Sequence, residues 1–220
     1  MSSLTETSSH PSTTTININA PSNMIYDDNY LNYYNNFYIF KILLSYLGIK
    51  HEINQISEID HLVLNKLQSY DQFPIKDTGD YFLAKSAVIS RYISNNYNFS
   101  GKSLQESAIV DEIIEEILEI IEEIVLPNIK SKTINEKIKI IISTYFLCFE
   151  KTLSKSTYIA GGDDYTIADL YLYILYDYIK FFDGFAQDFY GKFPHLDALK
   201  QHFESNKEVS EFIKNNPISF

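Results

Sequence analysis

The stretch that decides the fold runs from residue 70 to residue 93 and reads YDQFPIKDTGDYFLAKSAVISRYI. Its two short apolar segments, FPIKD and YFLA, flank the polar residues DTGD, which is the pattern of two strands joined by a hairpin turn. Pro74 stands at the start of the first strand, where its missing N–H removes no ladder hydrogen bond. Ser86 is a residue type typical of helix N-termini and is expected to cap the following helix. The stretch therefore predicts a β-hairpin followed directly by a helix.

The residues before this hairpin predict helices and strands in alternation. The segment FYIFKILLSYLGI, at 37–49, places apolar residues three and four apart and ends near Gly48, a residue favoured at helix C-termini. The segment HEINQI, at 51–56, has the alternation of a strand. The segment DHLVLNKLQSY, at 60–70, predicts a short helix that Asp60 caps. Together with the hairpin, these segments form an α/β half.

Two further features complete the first half of the chain. A first strand near 24–31 gives the order β-α-β-α-β-β-α for a domain that spans 24–101. Residues 1–23 are rich in Ser and Thr and have too few apolar side chains to offset the entropy of ordering. We therefore expect a disordered tail before an α/β domain.

The residues from 102 to 220 have helical patterns throughout and predict an all-helical domain. The first helix is expected to end at Pro127, because proline disrupts a helix interior. Its apolar residues at intervals of four predict the buried stripe, which is Ile109, Ile113, Ile117, Ile121 and Val125, with Ile114, Leu118 and Ile124 beside it. Further helices are predicted over 134–153, 166–182, 193–206 and 207–216.

The sequence YTIAD predicts how one of these helices begins. Thr166 is placed to cap the helix, and Asp169 lies three residues later, where its carboxylate can accept the Thr166 N–H. This arrangement is a capping box with Asp in place of the more usual Glu.

The composition excludes several classes of function. The formal net charge of −11 would repel nucleic acid, so no such partner is expected. The longest uncharged apolar run, at 140–149, is too short to cross a bilayer, and no membrane partner is expected. Cys148 is the only cysteine, which excludes an intramolecular disulfide and a cysteine-based zinc site. Its apolar neighbours predict a buried thiol in a reducing, cytoplasmic compartment.

Four stretches carry a further signal, and they are QFPI, GDYFLAKSAVISRYI, YIAGGDDYTIADLYL and FPHLDALKQHFESNKEVSEFI. Together they resemble a known family, the cytosolic glutathione transferases, and are closest to its sigma and alpha-like classes. The resemblance covers nearly all of residues 24–220. It implies an α/β + all-α fold, in which a thioredoxin-like N-terminal domain is followed by an all-helical C-terminal domain. It also implies a homodimer.

The resemblance implies a set of glutathione-binding residues around the hairpin. In the family, the proline matched by Pro74 has a cis peptide bond, and the backbone of the preceding residue, here Phe73, bonds the cysteinyl part of glutathione. Gln72 lies beside it. Ser86 would hold the γ-glutamyl carboxylate, since the free N–H groups of a helix N-terminus bind anions. Lys85 stands where the family usually has Gln, and it can pair with that carboxylate as a point charge.

Four other positions enter the site by the same resemblance. Glu119 matches an acid that reaches the γ-amino group of glutathione across the dimer. His61 and Asn65 replace a tryptophan and a lysine that bind the glycyl carboxylate, and they are weaker partners. Asn36 replaces an arginine of the active-site loop.

Tyr30 is the candidate catalytic residue. The chemistry needs a thiolate, so a thiol pKa of about 8.5 must fall towards neutrality, and a shift of about 2 units corresponds to about 2.7 kcal/mol. A hydroxyl that donates a hydrogen bond to the sulfur can supply this stabilisation. In the family a tyrosine at the end of the first strand does so, and Tyr30 has the matching spacing to Pro74. Tyr26, Tyr33 and Tyr34 lie close by in the sequence.

These features favour an enzyme that conjugates glutathione to small apolar electrophiles, with glutathione as co-substrate and without a metal or other cofactor. Isomerisation and peroxide reduction by the same thiolate stay open. The alternative is a catalytically weak or inactive protein of the same fold that acts as a ligand carrier or interaction module. A thiol–disulfide oxidoreductase is disfavoured, because that chemistry needs a cysteine at the first helix and Cys148 lies far from it.

Overall fold

The computed structural model describes residues 16–21, 38–56, 75–77, 82–129, 131, 133–182, 185 and 189–216. Within these ranges the chain forms a four-stranded sheet and a set of helices. The first strand predicted near 24–31 and the short helix predicted at 60–70, with its cap Asp60, lie outside the described residues.

The sheet contains strands β1 (Ile16–Pro21), β2 (His51–Ile56), β3 (Ile75–Asp77) and β4 (Phe82–Ala84). Their spatial order is β2-β1-β3-β4. Strand β1 pairs in parallel with β2, while β3 is antiparallel to both β1 and β4. The predicted strand at 51–56 and the predicted hairpin of β3 and β4 are therefore confirmed.

Strand β1 lies inside the segment that was expected to be disordered, and that expectation is wrong for residues 16–21. The sequence ININAP alternates apolar Ile16, Ile18 and Ala20 with asparagine, which is the period of a strand. Strand β1 pairs with β2 on one side and with β3 on the other, and this pairing supplies its backbone hydrogen bonds. The Ser/Thr-rich composition of residues 1–23 does not predict such pairing.

Helix α1 (38–46) ends as predicted at Gly48, which has a φ of +63°. The Ile49 N–H donates to the Leu44 carbonyl at 2.9 Å, and the Gly48 N–H donates to the Ser45 carbonyl at 3.0 Å. These two bonds form a Schellman motif, in which glycine adopts the left-handed conformation without steric cost. Leu44 and Ile49 are buried in one small apolar cluster, which fixes the exit of the helix towards β2.

Helix α2 (Ser86–Asn96) follows β4, and helix α3 (Leu104–Ile120) opens the helical half. Beyond α3 the chain continues through a π-helical turn, Ile121–Val125, into the short helix Leu126–Ile129. Pro127 therefore does not end the helical path, and that prediction is wrong. The wider π turn precedes the proline, at the place where the missing N–H would interrupt a regular α-helix.

The buried stripe of α3 differs in part from the predicted one. Ile109 and Ile113 are only half-buried, and Val110 and Ile114 take their places in the core. An α-helix turns by about 100° per residue, so positions four apart drift steadily around the helix. The spacings along the buried face are four, three, four and four, for Val110, Ile114, Ile117, Ile121 and Val125, and Leu118 and Ile120 are buried beside them.

The remaining helices agree with the predicted segments. They are α4 (Glu136–Leu153), α5 (Ile167–Tyr178), α6 (Pro194–Ser205) and α7 (Lys207–Asn215), with short 3₁₀ turns at Ile179–Phe181 and Tyr190–Lys192. Every residue of α5 is buried, so this helix is the centre of the main core. Among the helices in the described ranges, none combines the length and apolar character that crossing a bilayer requires.

Cys148 lies on the exposed side of α4, so the prediction of a buried thiol is wrong. The apolar run from 140 to 149 wraps around the whole helix and does not stay on one face. Phe146 and Phe149 face the core, whereas Leu147 is 60% exposed beside the exposed cysteine.

Candidate functional site

The described part of the candidate site is the junction between β4 and α2. Lys85 occupies the N-cap position, where its side chain makes no capping hydrogen bond, and its carbonyl accepts the Ile89 N–H at 3.0 Å. Ser86 is the first helical residue and is 5% exposed. The prediction that Ser86 caps the helix is therefore wrong by one position, because the helical hydrogen bonds begin at the carbonyl of Lys85. The predicted helix start at Ser86 is confirmed.

The backbone of Lys85 is strained. Its φ of 69° and ψ of 130° lie in a region that residues with a Cβ rarely adopt. Such a conformation costs on the order of 1–3 kcal/mol, persists only where the surrounding structure holds it, and is found mostly at functional sites. The strain directs the chain from β4 into α2 and leaves the Lys85 side chain exposed.

The N-terminal end of α2 has the chemistry of an anion site. The N–H groups of Ser86, Ala87 and Val88 precede the first intrahelical bond and point out of the helix end. The first turn contains no acidic residue. The helix dipole, the free N–H groups and the Lys85 ammonium all favour a bound carboxylate.

The register of the hairpin places the start of β3 beside this junction. Ile75, the first residue of β3, lies directly opposite Ala84 in the antiparallel register. Ala84 is two residues before Ser86, so β3 begins beside the entrance to α2. The other predicted positions, which lie outside the described residues and stay predictions, are Tyr30, Asn36, His61, Asn65, Gln72, Phe73 and Pro74.

Glu119 is exposed on α3 and lies apart from the predicted capping and hairpin residues in the sequence. Its charge acts on the hydroxyl of Tyr145 of α4. The pKa of the Tyr145 hydroxyl is raised above its ordinary value of 10.0, mainly by burial. The charge of Glu116, the hydrogen bond to Glu116 and the charge of Glu119 act in the same direction. The role of Glu119 towards a ligand of a second subunit stays a prediction.

Two polar contacts that link the halves of the chain were missed by sequence reasoning. Arg91 of α2 forms ion pairs with Asp111 and Glu115 of α3. Arg91 is the only arginine in the chain, but no pattern in the sequence indicates its partners. The second contact joins Tyr46 of α1 to His202 of α6, with the tyrosine oxygen 3.1 Å from Nε2.

The ring of Tyr165 stacks on His202 with centroids 3.7 Å apart. Burial lowers the pKa of His202, and the charge of Asp164 opposes this shift. Burial is also the main cause that raises the pKa of Tyr46 to about 12. Both rings are therefore neutral near pH 7, and the contact is a neutral hydrogen bond. No group of three His, Cys, Asp or Glu side chains in the described ranges is arranged to hold a metal ion.

Comparison with known proteins identifies the family. Residues 127–216 match the sequence profile described as "Glutathione S-transferase, C-terminal domain". The chain is 60% identical over 189 residues to a "Glutathione S-transferase domain-containing protein" of Dictyostelium discoideum, covering 83% of this chain and 94% of that protein. It is 41% identical over 183 residues to the "Putative glutathione S-transferase alpha-3" of the same organism, covering 81% and 89%.

The fold of the chain is also similar to that of a solved structure. A solved Nu-class GST from Haemonchus contortus superposes with a TM-score of 0.68 at 19% identity, covering 93% of this chain and 98% of that one. The likeness shows that the sheet followed by helices has the fold of glutathione transferases. This chain belongs to the glutathione S-transferase family, which confirms the resemblance seen in the sequence.

Proposed function

We propose that this protein conjugates glutathione to small apolar electrophiles. The observation that carries the proposal is the β4–α2 junction, where a strained Lys85 leads into a helix end with buried Ser86 and no acidic residue. In a chain of this family, such a junction is suited to the γ-glutamyl carboxylate of glutathione. The proposal includes a cytoplasmic location, since the thiol of the co-substrate needs reducing surroundings.

Binding would use one set of groups for each part of the peptide. In this proposal the sheet and its first helices form a thioredoxin-like domain that holds glutathione. The γ-glutamyl carboxylate accepts hydrogen bonds from the start of α2 and pairs with Lys85, while Glu119 of the partner subunit meets the γ-amino group. The Phe73 backbone and Gln72 bind the cysteinyl part. His61 and Asn65 bind the glycyl carboxylate.

Catalysis would rest on the hydroxyl of Tyr30. The glutathione S–H loses its proton to water, and the Tyr30 O–H donates a hydrogen bond to the resulting thiolate. The thiolate then forms a carbon–sulfur bond with the electrophile, and the displaced electron pair leaves with the leaving group or is protonated after addition. Tyr30 keeps its own proton throughout, so its role is electrostatic. No metal or other cofactor takes part in these steps.

The proposal includes a homodimer formed through α4. Ile140 is 66% exposed and Leu147 is 60% exposed, and exposed apolar side chains on one helix are suited to a protein interface. The neighbouring α3 carries mostly acidic exposed residues, whereas α4 carries exposed Lys137 and Lys151. A two-fold arrangement can set the acidic helix of each subunit against the basic residues of the other.

Steady-state conjugation of glutathione to a chlorodinitrobenzene tests the proposed mechanism. Because one hydroxyl donor to a developing anion contributes about 10²-fold in kcat, we expect Tyr30→Phe to lower kcat by about that factor. The KM for glutathione should stay within about twofold, since Tyr30 acts on the thiolate. The control variants are Tyr33→Phe and Tyr34→Phe. Unchanged conjugation in Tyr30→Phe, or an equal loss in either control, would show that this tyrosine is not the donor.

A further inference from the structure

Arg91 makes a contact that only an arginine can make in this way. It is the only arginine in the chain, and it lies on α2, the helix whose first residue is Ser86. Its Nε donates to Asp111 Oδ1 at 2.8 Å, and its Nη2 donates to Glu115 Oε1. The two carboxylates lie one turn apart on α3, so the planar guanidinium spans them with two separate N–H groups. A lysine ammonium is a single point charge and lacks this fixed fork.

The opposite side of α2 is held by apolar packing. Ile89 and Ile93 are buried against Phe40 and Leu44 of α1 in the small cluster that also contains Ile49. These contacts fix α2 against the α/β half. The Arg91 ion pairs fix the same helix against α3 of the helical half, so α2 is anchored from two sides.

The residue before Ser86 has a conformation that the surrounding structure must hold. Lys85 has a φ of 69°, in a region that residues with a Cβ keep only where their surroundings impose it. The N–H groups at that end bind a carboxylate only while they point at it, and a misplacement of about 1 Å is costly in a binding site. Arg91 is five residues from Ser86, which is about 7 Å along the helix axis.

We propose that Arg91 is a positioning residue for the glutathione carboxylate. By spanning Asp111 and Glu115 it holds α2 so that the helix end at Ser86 keeps its direction towards the ligand. In this proposal Arg91 itself does not touch the ligand: it lies five residues beyond Ser86, and its Nε and Nη2 donate to the two carboxylates of α3. The inference rests on the proposed function, since it assigns the structural support of that same site.

The kinetic experiment compares the wild type with Arg91→Met, Arg91→Lys and Lys139→Met, with glutathione varied at saturating chlorodinitrobenzene. Lys139 is the matched control because its side chain is 25% exposed, against 22% for Arg91, and pairs with Glu136 at 2.7 Å within α4. We expect the KM for glutathione to rise about tenfold in Arg91→Met, with kcat within about twofold, because the helix end binds both ground and transition state. Arg91→Lys should be intermediate, and Lys139→Met unchanged.

A double-mutant comparison checks that the effect passes through the ion pairs. If Arg91 acts through Glu115, then Arg91→Met combined with Glu115→Gln should raise the KM for glutathione no further than Arg91→Met does alone. Additive increases would instead mean that Arg91 acts by another route, and they would overturn the inference.

Amide hydrogen exchange on the unliganded proteins separates this inference from the proposed function. We expect exchange of the amides of residues 89–93, the first in α2 that are hydrogen-bonded within the helix, to be faster in Arg91→Met and unchanged in Lys139→Met. Unchanged exchange there, or an unchanged KM, would overturn the positioning role even if the wild type conjugates glutathione normally. A wild type that shows no saturation with glutathione would defeat the proposed function and, with it, the ligand role of Arg91.

Discussion

Asp169 joins two segments of the helical half through one buried carboxylate. Its Oδ1 accepts the Ile159 N–H at 2.8 Å, and its Oδ2 accepts the Thr166 N–H at 2.8 Å and the Thr166 hydroxyl at 2.9 Å. Burial raises the pKa of this carboxyl from 3.8 to about 6, although the three hydrogen bonds oppose the shift. The capping box thus fastens the loop before α5 as well as starting the helix.

The raised pKa of Asp169 predicts a pH-dependent stability. Because the folded-state pKa lies above the unfolded one, the stabilising contribution is fully present below about pH 4 and is lost as the pH rises through about 6. Between pH 4 and pH 7 we expect the free energy of unfolding of the wild type to fall by about 2–3 kcal/mol more than that of Asp169→Asn. Denaturant unfolding at several pH values measures this difference.

The control for this titration is Asp163→Asn, at an exposed position in the loop before α5. Its difference from the wild type should not change over the same pH range. A difference between the wild type and Asp169→Asn that is also constant with pH would contradict the raised pKa.

At the scale of single residues, the sequence predicted local roles such as helix capping better than it predicted which side chains are buried. Thr166 and Asp169 were identified as a capping box from their spacing of three, and the structure confirms it. The additional bond to Ile159 depends on a loop ten residues away, which no local pattern contains. The exposure of Cys148 is also a tertiary property, because it depends on which side of α4 meets the core.

Among the elements, helix α6 has a cap that comes from another helix. Pro194 is its first residue, and Phe193 before it makes no side-chain cap. Glu150 of α4 supplies the missing acceptor, since its two carboxylate oxygens accept the N–H groups of His195 and Leu196, each at 3.1 Å. The His195 ring also bonds this carboxylate, with Nδ1 2.6 Å from Oε1.

Removing the charge of Glu150 should destabilise the packing of α6 on α4. Glu150→Gln replaces one acceptor oxygen with an NH₂ group that faces N–H donors, which should cost about 1–2 kcal/mol. In a chain of this size that corresponds to a fall in Tm of about 3 to 6 °C, measurable by calorimetry. Glu112→Gln, at an exposed position on α3, should leave Tm unchanged. Equal Tm values for the two variants would refute the capping role.

The elements themselves were predictable where a short pattern settles the structure. The ends of α1 at Gly48 and the start of α2 at Ser86 follow from residue types with strong positional preferences. Strand β1 was missed because its stability depends on partners 30 to 60 residues away in the sequence. The exact buried face of α3 was missed because intervals of four only approximate the helical period.

At the scale of the whole molecule, α5 organises the helical half and α1 and α2 connect it to the sheet. The Tyr46–His202 hydrogen bond and the Arg91 ion pairs are polar links between α1 and α2 and the helical half. Tyr46 and His202 are 156 residues apart, and Arg91 is 20 and 24 residues from its two carboxylates, so no local sequence pattern pairs them. The family resemblance, in contrast, was visible because its motifs lie at local turns and helix starts.

The proposed dimer makes a prediction at this scale. Leu147→Glu places a charge in the apolar face of α4 and should shift the protein from dimer to monomer at micromolar concentration, because an unpaired charge is costly to bury. Light scattering coupled to size-exclusion chromatography measures the mass. Leu104→Glu is the matched control, since Leu104 is 93% exposed at the start of α3. A wild-type monomer, or a Leu147→Glu variant that stays dimeric, would rule out this interface.

The central claim is that the junction of β4 and α2 binds glutathione, and calorimetric titration at pH 7 tests it most directly. The wild type, Ser86→Ala and Ser94→Ala are titrated with glutathione; Ser94 is buried on the same helix, two turns further along. We expect a dissociation constant below about 1 mM for the wild type and Ser94→Ala, and binding about tenfold weaker for Ser86→Ala. No heat of binding at millimolar glutathione, or equal affinity in Ser86→Ala and the wild type, would contradict the claim.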